Sequence, residues 1–282
     1  MKARKFGSTD KEVPIIGQGS WNFPQDANRI DSAKLALQHG FELGMLHLDT
    51  AEMYGDGKSE EIIGDVINGL PREKLFIVSK VLPSNASYKG TIKACEASLR
   101  RLKTDYMDCY LLHWRGSHPL EETMRALEQL VADGKIRSLG VSNFDVYDLE
   151  EARGYLSREK IACNQVLYNL GERGIERRLI PYCEKHDIAV VGYTPFGNMP
   201  AAGSAAGKAL THLAQKHNAT ERQVVLAFLV RLGSLFAIPK AANVEHVREN
   251  AGAAKIELEK VDIDAINQVL PPPLKDEPLA TG

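Results

Sequence analysis

The strongest constraint on this chain is a repeated alternation. From residue 45 onward a short apolar run, a polar turn and an amphipathic stretch succeed one another almost to the end. Strands are predicted over 15–19, 45–49, 75–80, 107–113, 136–142, 162–166, 189–193 and 236–240. Helices are predicted over 28–43, 59–67, 91–102, 120–132, 146–155, 176–186, 207–217, 221–232 and near 244–254. Runs such as Phe76-Ile77-Val78 are apolar at every residue, which implies burial on both faces, as in a parallel sheet. Eight such units in about 250 residues suit an α/β closed (β/α)8 TIM barrel. The rival is a doubly wound open sheet, but its GxGxxG fingerprint is missing: Gly17-Gln18-Gly19-Ser20-Trp21 fails at the third glycine. Residues 1–13 are expected to form a β-hairpin outside the barrel, turning at Gly7-Ser8-Thr9-Asp10. Residues 271–282 open with Pro271-Pro272-Pro273 and are expected to lie extended over the surface. No linker interrupts the pattern, so residues 1–282 read as one barrel domain.

Composition narrows the partners. The net charge is -2 and the Lys and Arg residues are scattered, so neither nucleic acid nor an anionic membrane is an expected partner. No window approaches the roughly 20 apolar residues of a membrane span. The 4 cysteines, Cys95, Cys109, Cys163 and Cys183, show no CxxC spacing and read as reduced core thiols of a cytoplasmic protein, expected to be a monomer.

The predicted strands carry ionisable residues at their ends. Asp49 closes one, Lys80 the next, His113 the one after, and Tyr54 follows Asp49 in a loop shortened by Gly55 and Gly57. A parallel barrel brings those ends to one rim, where such barrels keep their chemistry. A tyrosine is a weak acid near neutrality, and a neighbouring ammonium such as Lys80 lowers its pKa. A buried Lys80 needs a counter-charge, which Asp49 can supply. His113 can hold a substrate oxygen or share its proton with Tyr54. Singly, each has a plainer explanation: a solvated strand end, a structural histidine, a loop aromatic. Their conjunction at successive strand ends carries the weight. A divalent metal is the competing use, since His47 and Asp49 share a strand face, Glu52 follows, and His113 could join them. Lys80 would then place a positive charge beside the metal.

At this point the chain resembles an aldo-keto reductase over nearly its whole length. His47-Leu48-Asp49-Thr50-Ala51 with Tyr54-Gly55 is similar to the family's first signature, and Asp49, Tyr54, Lys80 and His113 match its catalytic tetrad. Gly140-Val141-Ser142-Asn143-Phe144 resembles the stretch that meets the nicotinamide carboxamide through Ser142 and Asn143, and Gln165 matches the next contact. Tyr193-Thr194-Pro195-Phe196-Gly197 resembles the segment whose tyrosine stacks on the nicotinamide. Ile238-Pro239-Lys240-Ala241, Asn243, His246 and Glu249-Asn250 occupy the cofactor-clamping end, and Ser20 and Trp21 sit at the end of the first strand. The resemblance implies a barrel that binds NADP(H) without a Rossmann fold. It also implies reduction of aldehydes or ketones by hydride transfer, with Tyr54 as general acid.

One departure matters. The family usually places Ser or Thr, then Arg, around the 2′-phosphate; here Ala241 and His246 stand there. Lys240, an imidazole and a helix start capped by Asn243 remain, with Arg248 nearby. NADP(H) is still favoured, NAD(H) being the alternative, and lower pH should tighten NADPH binding if His246 contributes. Trp21, Phe23 and Trp114 are expected to wall the substrate pocket, which admits a small-molecule carbonyl. The short 197–203 loop suggests an open site. The other readings are a non-catalytic cofactor-sensing subunit of the same fold and a metal-assisted hydrolase.

Overall fold

A computed structural model describes residues 1–24 and 26–282. An antiparallel hairpin, β1 (Ala3–Lys5) and β2 (Glu12–Pro14), comes first. It is followed by β3 (Gln18–Gly19), α1 (Ala27–Glu42), β4 (His47–Asp49), α2 (Lys58–Ile67), β5 (Phe76–Val81), α3 (Tyr88–Leu102), β6 (Cys109–Leu112) and α4 (Leu120–Ala132). Then come β7 (Leu139–Ser142), α5 (Val146–Gly154), β8 (Ile161–Leu167), α6 (Leu179–Lys185), β9 (Ala189–Tyr193), α7 (Ala205–Lys216), α8 (Glu221–Leu229), β10 (Leu235–Ala237), α9 (Val244–Gly252) and α10 (Lys260–Val269).

Strands β3 to β10 pair in parallel and in chain order, an eight-stranded sheet. The sheet closes on itself through the residues just outside its two end strands. Ile16 bridges Ala237 and Gly19 bridges Lys240, both in parallel. The Gly17 amide donates to the Ala237 carbonyl at 2.8 Å, and the Ala237 amide to the Ile15 carbonyl at 3.0 Å. The predicted strand over 15–19 therefore pairs along its length, although only its last two residues reach β4. Gly19 is needed there, because a Cβ would lie 2.7 Å from the Ile238 carbonyl oxygen across the seam. Helices intervene between the strands, as the (β/α)8 reading requires.

Alternation along the strands sorts their side chains. Leu48, Ile77, Tyr110, Leu112, Val141, Val166 and Val190 face outward into the helix-side core. Phe76, Val78, Cys109, Leu111, Cys163, Ala189, Val191 and Phe236 fill the barrel. The hairpin plugs its lower end: the Phe6 ring lies 4.6 Å from Phe76 and 5.0 Å from Phe236. Gly7 makes that plug fit, since at φ +53° a Cβ would collide with the Ala162 carbonyl oxygen.

Side-chain caps set several helix starts. Ser87 precedes α3, Ser204 precedes α7, and capping boxes of Asp145 with Asp148 and Thr220 with Gln223 open α5 and α8. Helix α10 was not foreseen. Ile266 is its one fully buried apolar residue and Val261 is exposed, so it presents too weak a stripe to read from periodicity. Among the described residues no helix is long and apolar enough to cross a membrane.

Candidate active site

Register delivers the ionisable residues to one end. Asp49 pairs with Val78, Lys80 with Leu111, and Ser142 with Gln165. The His113 amide donates to Val81, continuing β6 by one residue. With Leu167 paired to Tyr193, the carboxyl ends of β4 to β9 supply Asp49, Lys80, His113, Ser142, Gln165 and Tyr193 to the upper rim.

Lys80 is the hub and is fully buried. Its ammonium donates to Asp49 Oδ1 at 2.7 Å, to the Thr50 carbonyl at 2.8 Å and to the Tyr54 hydroxyl at 3.3 Å. Gln165 Nε2 donates to the other Asp49 oxygen at 2.7 Å, so the carboxylate is held at both ends. Burial works against the Lys80 charge, but Asp49 beside it overrides that and raises its pKa above the ordinary lysine value. At the Tyr54 phenol the Lys80 ammonium acts in the expected downward direction, but burial outweighs it. Burial raises its pKa and the Lys80 ammonium offsets this only in part, so the hydroxyl keeps its proton.

The Tyr54 and His113 rings meet edge to face at 5.7 Å. Burial, then the charge of Lys80, pushes His113 down to about 3, leaving a neutral imidazole whose Nδ1 has no partner among the described residues. Near neutrality His113 is therefore a neutral imidazole, able to hydrogen-bond an oxygen but carrying no imidazolium proton to share with Tyr54.

Asn143 ties this end to the next strands. It adopts φ +60°, a left-handed conformation that asparagine tolerates. Its amide nitrogen donates to the His113 carbonyl at 3.1 Å, and its oxygen accepts from the Tyr193 hydroxyl at 2.9 Å. Ser142 Oγ donates to the Gln165 carbonyl at 2.9 Å. Beyond Tyr193, Thr194 is held at φ +52°, a strained conformation for a β-branched residue, ahead of buried Pro195 and half-buried Phe196 and Gly197. The Gly282 amide donates to the Tyr193 hydroxyl at 3.0 Å, so the end of the surface tail touches the rim. This contact had no sequence signal, nor did the role of the Thr50 carbonyl.

A second set of the predicted cofactor residues follows the barrel seam at β3 and β10. Ile238 and Pro239 are buried, while Lys240 is exposed. Asn243 caps α9, accepting from the His246 amide at 2.8 Å. Both side-chain amide atoms of Asn250, a residue 1% exposed, lack a partner among the described residues, as does Ser20 Oγ. Glu249 is engaged by Thr220 Oγ1 at 2.7 Å. Trp21 is 55% exposed and Trp114 37% exposed at the rim, whereas Phe23 is buried in the helix-side core.

The metal set does not assemble. His47 shares the inner face with Asp49 but sits a layer below it, its ring 5.5 Å from Phe76 and 5.9 Å from Phe6. Glu52 accepts from the Leu82 amide at 2.6 Å, and the Asp49 position is taken by Lys80. Among the described residues no group of three or more His, Cys, Asp or Glu converges on a metal position.

The neutral histidines predict a pH effect. Burial lowers both His47 and His113 to about 3, against about 6.5 in an unfolded chain. Between those values the unfolded state binds more protons, so stability is full above pH 6.5 and falls as pH drops. Each contributes about 1.4 kcal/mol per pH unit in that window. Urea midpoints should fall steadily from pH 6.5 to 5, and His47→Leu should make the slope markedly shallower. An unchanged slope in the variant would place the titration elsewhere.

Comparison with known proteins follows the same outline. The aldo/keto reductase family model matches residues 15–271. A methylglyoxal reductase, YeaE of Escherichia coli (strain K12), is 44% identical over 268 residues, covering 94% of this chain and 94% of its own. A glyoxal reductase of Bacillus subtilis (strain 168) is 36% identical over 258 residues, 91% of this chain and 88% of its own. The crystal structure of an aldo-keto reductase from Klebsiella pneumoniae in complex with NADPH superposes with a TM-score of 0.92 at 41% identity, covering 100% of both chains.

Proposed function

The chain belongs to the aldo/keto reductase family, and on that premise we propose that it reduces small 2-oxoaldehydes such as methylglyoxal, with Asp49, Tyr54, Lys80 and His113 as its acid–base machinery. It is an NADP(H)-dependent carbonyl reductase. Its residues suit that cofactor: the buried amide of Asn250, without a partner among the described residues, offers a donor and an acceptor to the adenine, and Lys240 a cation to the phosphorylated ribose. Asn143, Gln165 and the Tyr193 ring form the matching end for the nicotinamide, which supplies the hydride when bound.

The Lys80 contact with Tyr54 carries the reading. Tyr54 stays protonated in its buried setting and gives that proton to the carbonyl oxygen. The phenolate left behind lies 3.3 Å from the Lys80 ammonium, which Asp49 and the Thr50 carbonyl hold in place. Neutral His113 hydrogen-bonds the substrate oxygen and fixes its angle to Tyr54. Exposed Trp21 and Trp114 flank a mouth suited to a small aldehyde. The reading extends to a cytoplasmic monomer; the four buried free cysteines suit a reducing compartment.

The test is NADPH consumption with methylglyoxal and glyoxal, alongside quenching of the tryptophans by the cofactor. Saturable quenching with turnover is the expected result. Quenching without turnover of either aldehyde would leave a cofactor-sensing protein, and metal-dependent hydrolysis without quenching would overturn the reductase.

A further inference from the structure

Alternation along β5 turns Ser79 to the opposite side of the sheet from Lys80, toward the helices. There the Ser79 hydroxyl donates to Glu60 Oε1 of α2 at 2.5 Å. The other Glu60 oxygen accepts from Arg101 Nε of α3, also at 2.5 Å. Arg101 Nη2 donates in turn to Ser98 Oγ at 3.2 Å. Glu60, Ser79 and Ser98 are fully buried. An ion pair at this depth adds little stability over apolar packing of the same volume, so its use must lie in what it holds in place.

What it joins is the acid and its ammonium. The loop that carries Tyr54 leads directly into α2, which Gly57 opens at φ +87°. The Ser59 amide donates to the Tyr54 carbonyl at 3.2 Å, and the Ser59 hydroxyl to the Ser20 carbonyl at 3.1 Å. Glu60 is the next residue, and its carboxylate ties this first turn to β5 one residue before Lys80. Arg101 completes the brace by passing against Gly57, where a Cβ would lie 2.6 Å from the arginine Cδ. Among the described residues the Lys80 ammonium makes three hydrogen bonds, and the one to Tyr54, at 3.3 Å, is the longest. It is therefore the contact most easily lost if the two elements drift apart.

We infer that Glu60 is a positioning residue for the reduction: with Ser79 and Arg101 it sets the separation of Tyr54 from Lys80, and thereby the strength of the acid. The inference rests on Tyr54 being the proton donor, as proposed above. The phenolate formed in the reaction is stabilised by an ammonium at a fixed distance, and a misplacement of about 1 Å at such a contact can cost as much as about 10²-fold in rate. Glu60 acts through the backbones of α2 and β5, not by its own charge. A nearby carboxylate only raises the phenol pKa, whereas holding Lys80 close lowers it.

The experiment measures kcat, KM for methylglyoxal, tryptophan quenching by NADPH and the pH profile of kcat in the wild type, Glu60→Gln and Ser79→Ala. Glutamine keeps the size of Glu60, and the Arg101 side chain is 25% exposed, so without its partner it can turn to water. Ser79→Ala removes one tie and leaves the ion pair, which keeps the test open should the first variant not fold. The expected result is a kcat per folded protein about tenfold lower in Glu60→Gln and a smaller loss in Ser79→Ala, with KM and NADPH affinity within roughly twofold. Tyr54 faces Lys80, Asp49, His113 and Tyr193. With the ammonium less closely held its pKa rises, so the basic limb of the kcat profile should move to higher pH in both variants. Loss of the Glu60 charge alone would move it lower. Glu61→Gln, which breaks the exposed pair with Lys58 at 2.8 Å, should change none of these. A kcat per folded protein within roughly twofold of wild type overturns the inference, as does a fall with the limb unmoved or moved down. Tyr54→Phe separates the two levels: if it stays active, the acid reading fails and this inference with it. If it is inactive while Glu60→Gln is fully active, this inference alone fails.

Discussion

Tyr54→Phe should lower kcat with methylglyoxal by about 10²–10⁴-fold while NADPH binding stays within roughly twofold. The loss follows from removing the proton donor without moving anything else. Among the described residues the one hydrogen bond to the hydroxyl comes from Lys80 at 3.3 Å, and Lys80 keeps two stronger acceptors, Asp49 and the Thr50 carbonyl. The ring edge that meets His113 is unchanged in phenylalanine. Folding and the rest of the rim should therefore survive, and the defect should appear in the chemical step. Single-turnover NADPH oxidation, beside tryptophan quenching, separates the two. A variant keeping more than about a tenth of the wild-type kcat would exclude Tyr54 as the acid.

Lys80→Met has an equally large expected effect, but on stability as well as turnover. The substitution leaves the buried Asp49 carboxylate with Gln165 as its remaining side-chain donor. Removing one partner of a buried ion pair costs about 3–5 kcal/mol, because the other charge stays unsolvated. The unpaired Asp49 can escape only by taking up a proton, so the variant should regain part of its stability as pH falls. In Asp49→Asn with Lys80→Met the buried charge is gone, and much of the stability should return. Turnover should not return, since the phenolate of Tyr54 would face no ammonium. Urea denaturation and kcat on the three proteins check both halves. A single variant within about 1 kcal/mol of wild type would show that the pair is not charged in the fold.

Much of the site was legible because strand ends are legible. An apolar run stopping at Asp49, Lys80 or His113 marks both a buried strand and its polar end, and eight-fold alternation brings those ends together. The helix boundaries followed their caps, as at Ser204 and Thr220. Helix α10 lacked a stripe, and Phe23 showed no sign that its ring would turn into the helix-side core. The lowering of the Tyr54 pKa by Lys80 was legible, because a charge partner is visible in the sequence, whereas the burial that outweighs it was not.

By itself the sequence determined the barrel, the order of its strands and the identity of the four groups at the rim. It could do so because side-chain alternation and helical periodicity are local properties. Tertiary structure alone decided which charges win. That Lys80 stays an ammonium, that His113 is neutral, and that His47 packs among rings below Asp49 all depend on distance and desolvation between residues far apart in the chain. Electrostatic energies in a fold are set by those separations and by exclusion of water, neither of which is written in any stretch of sequence.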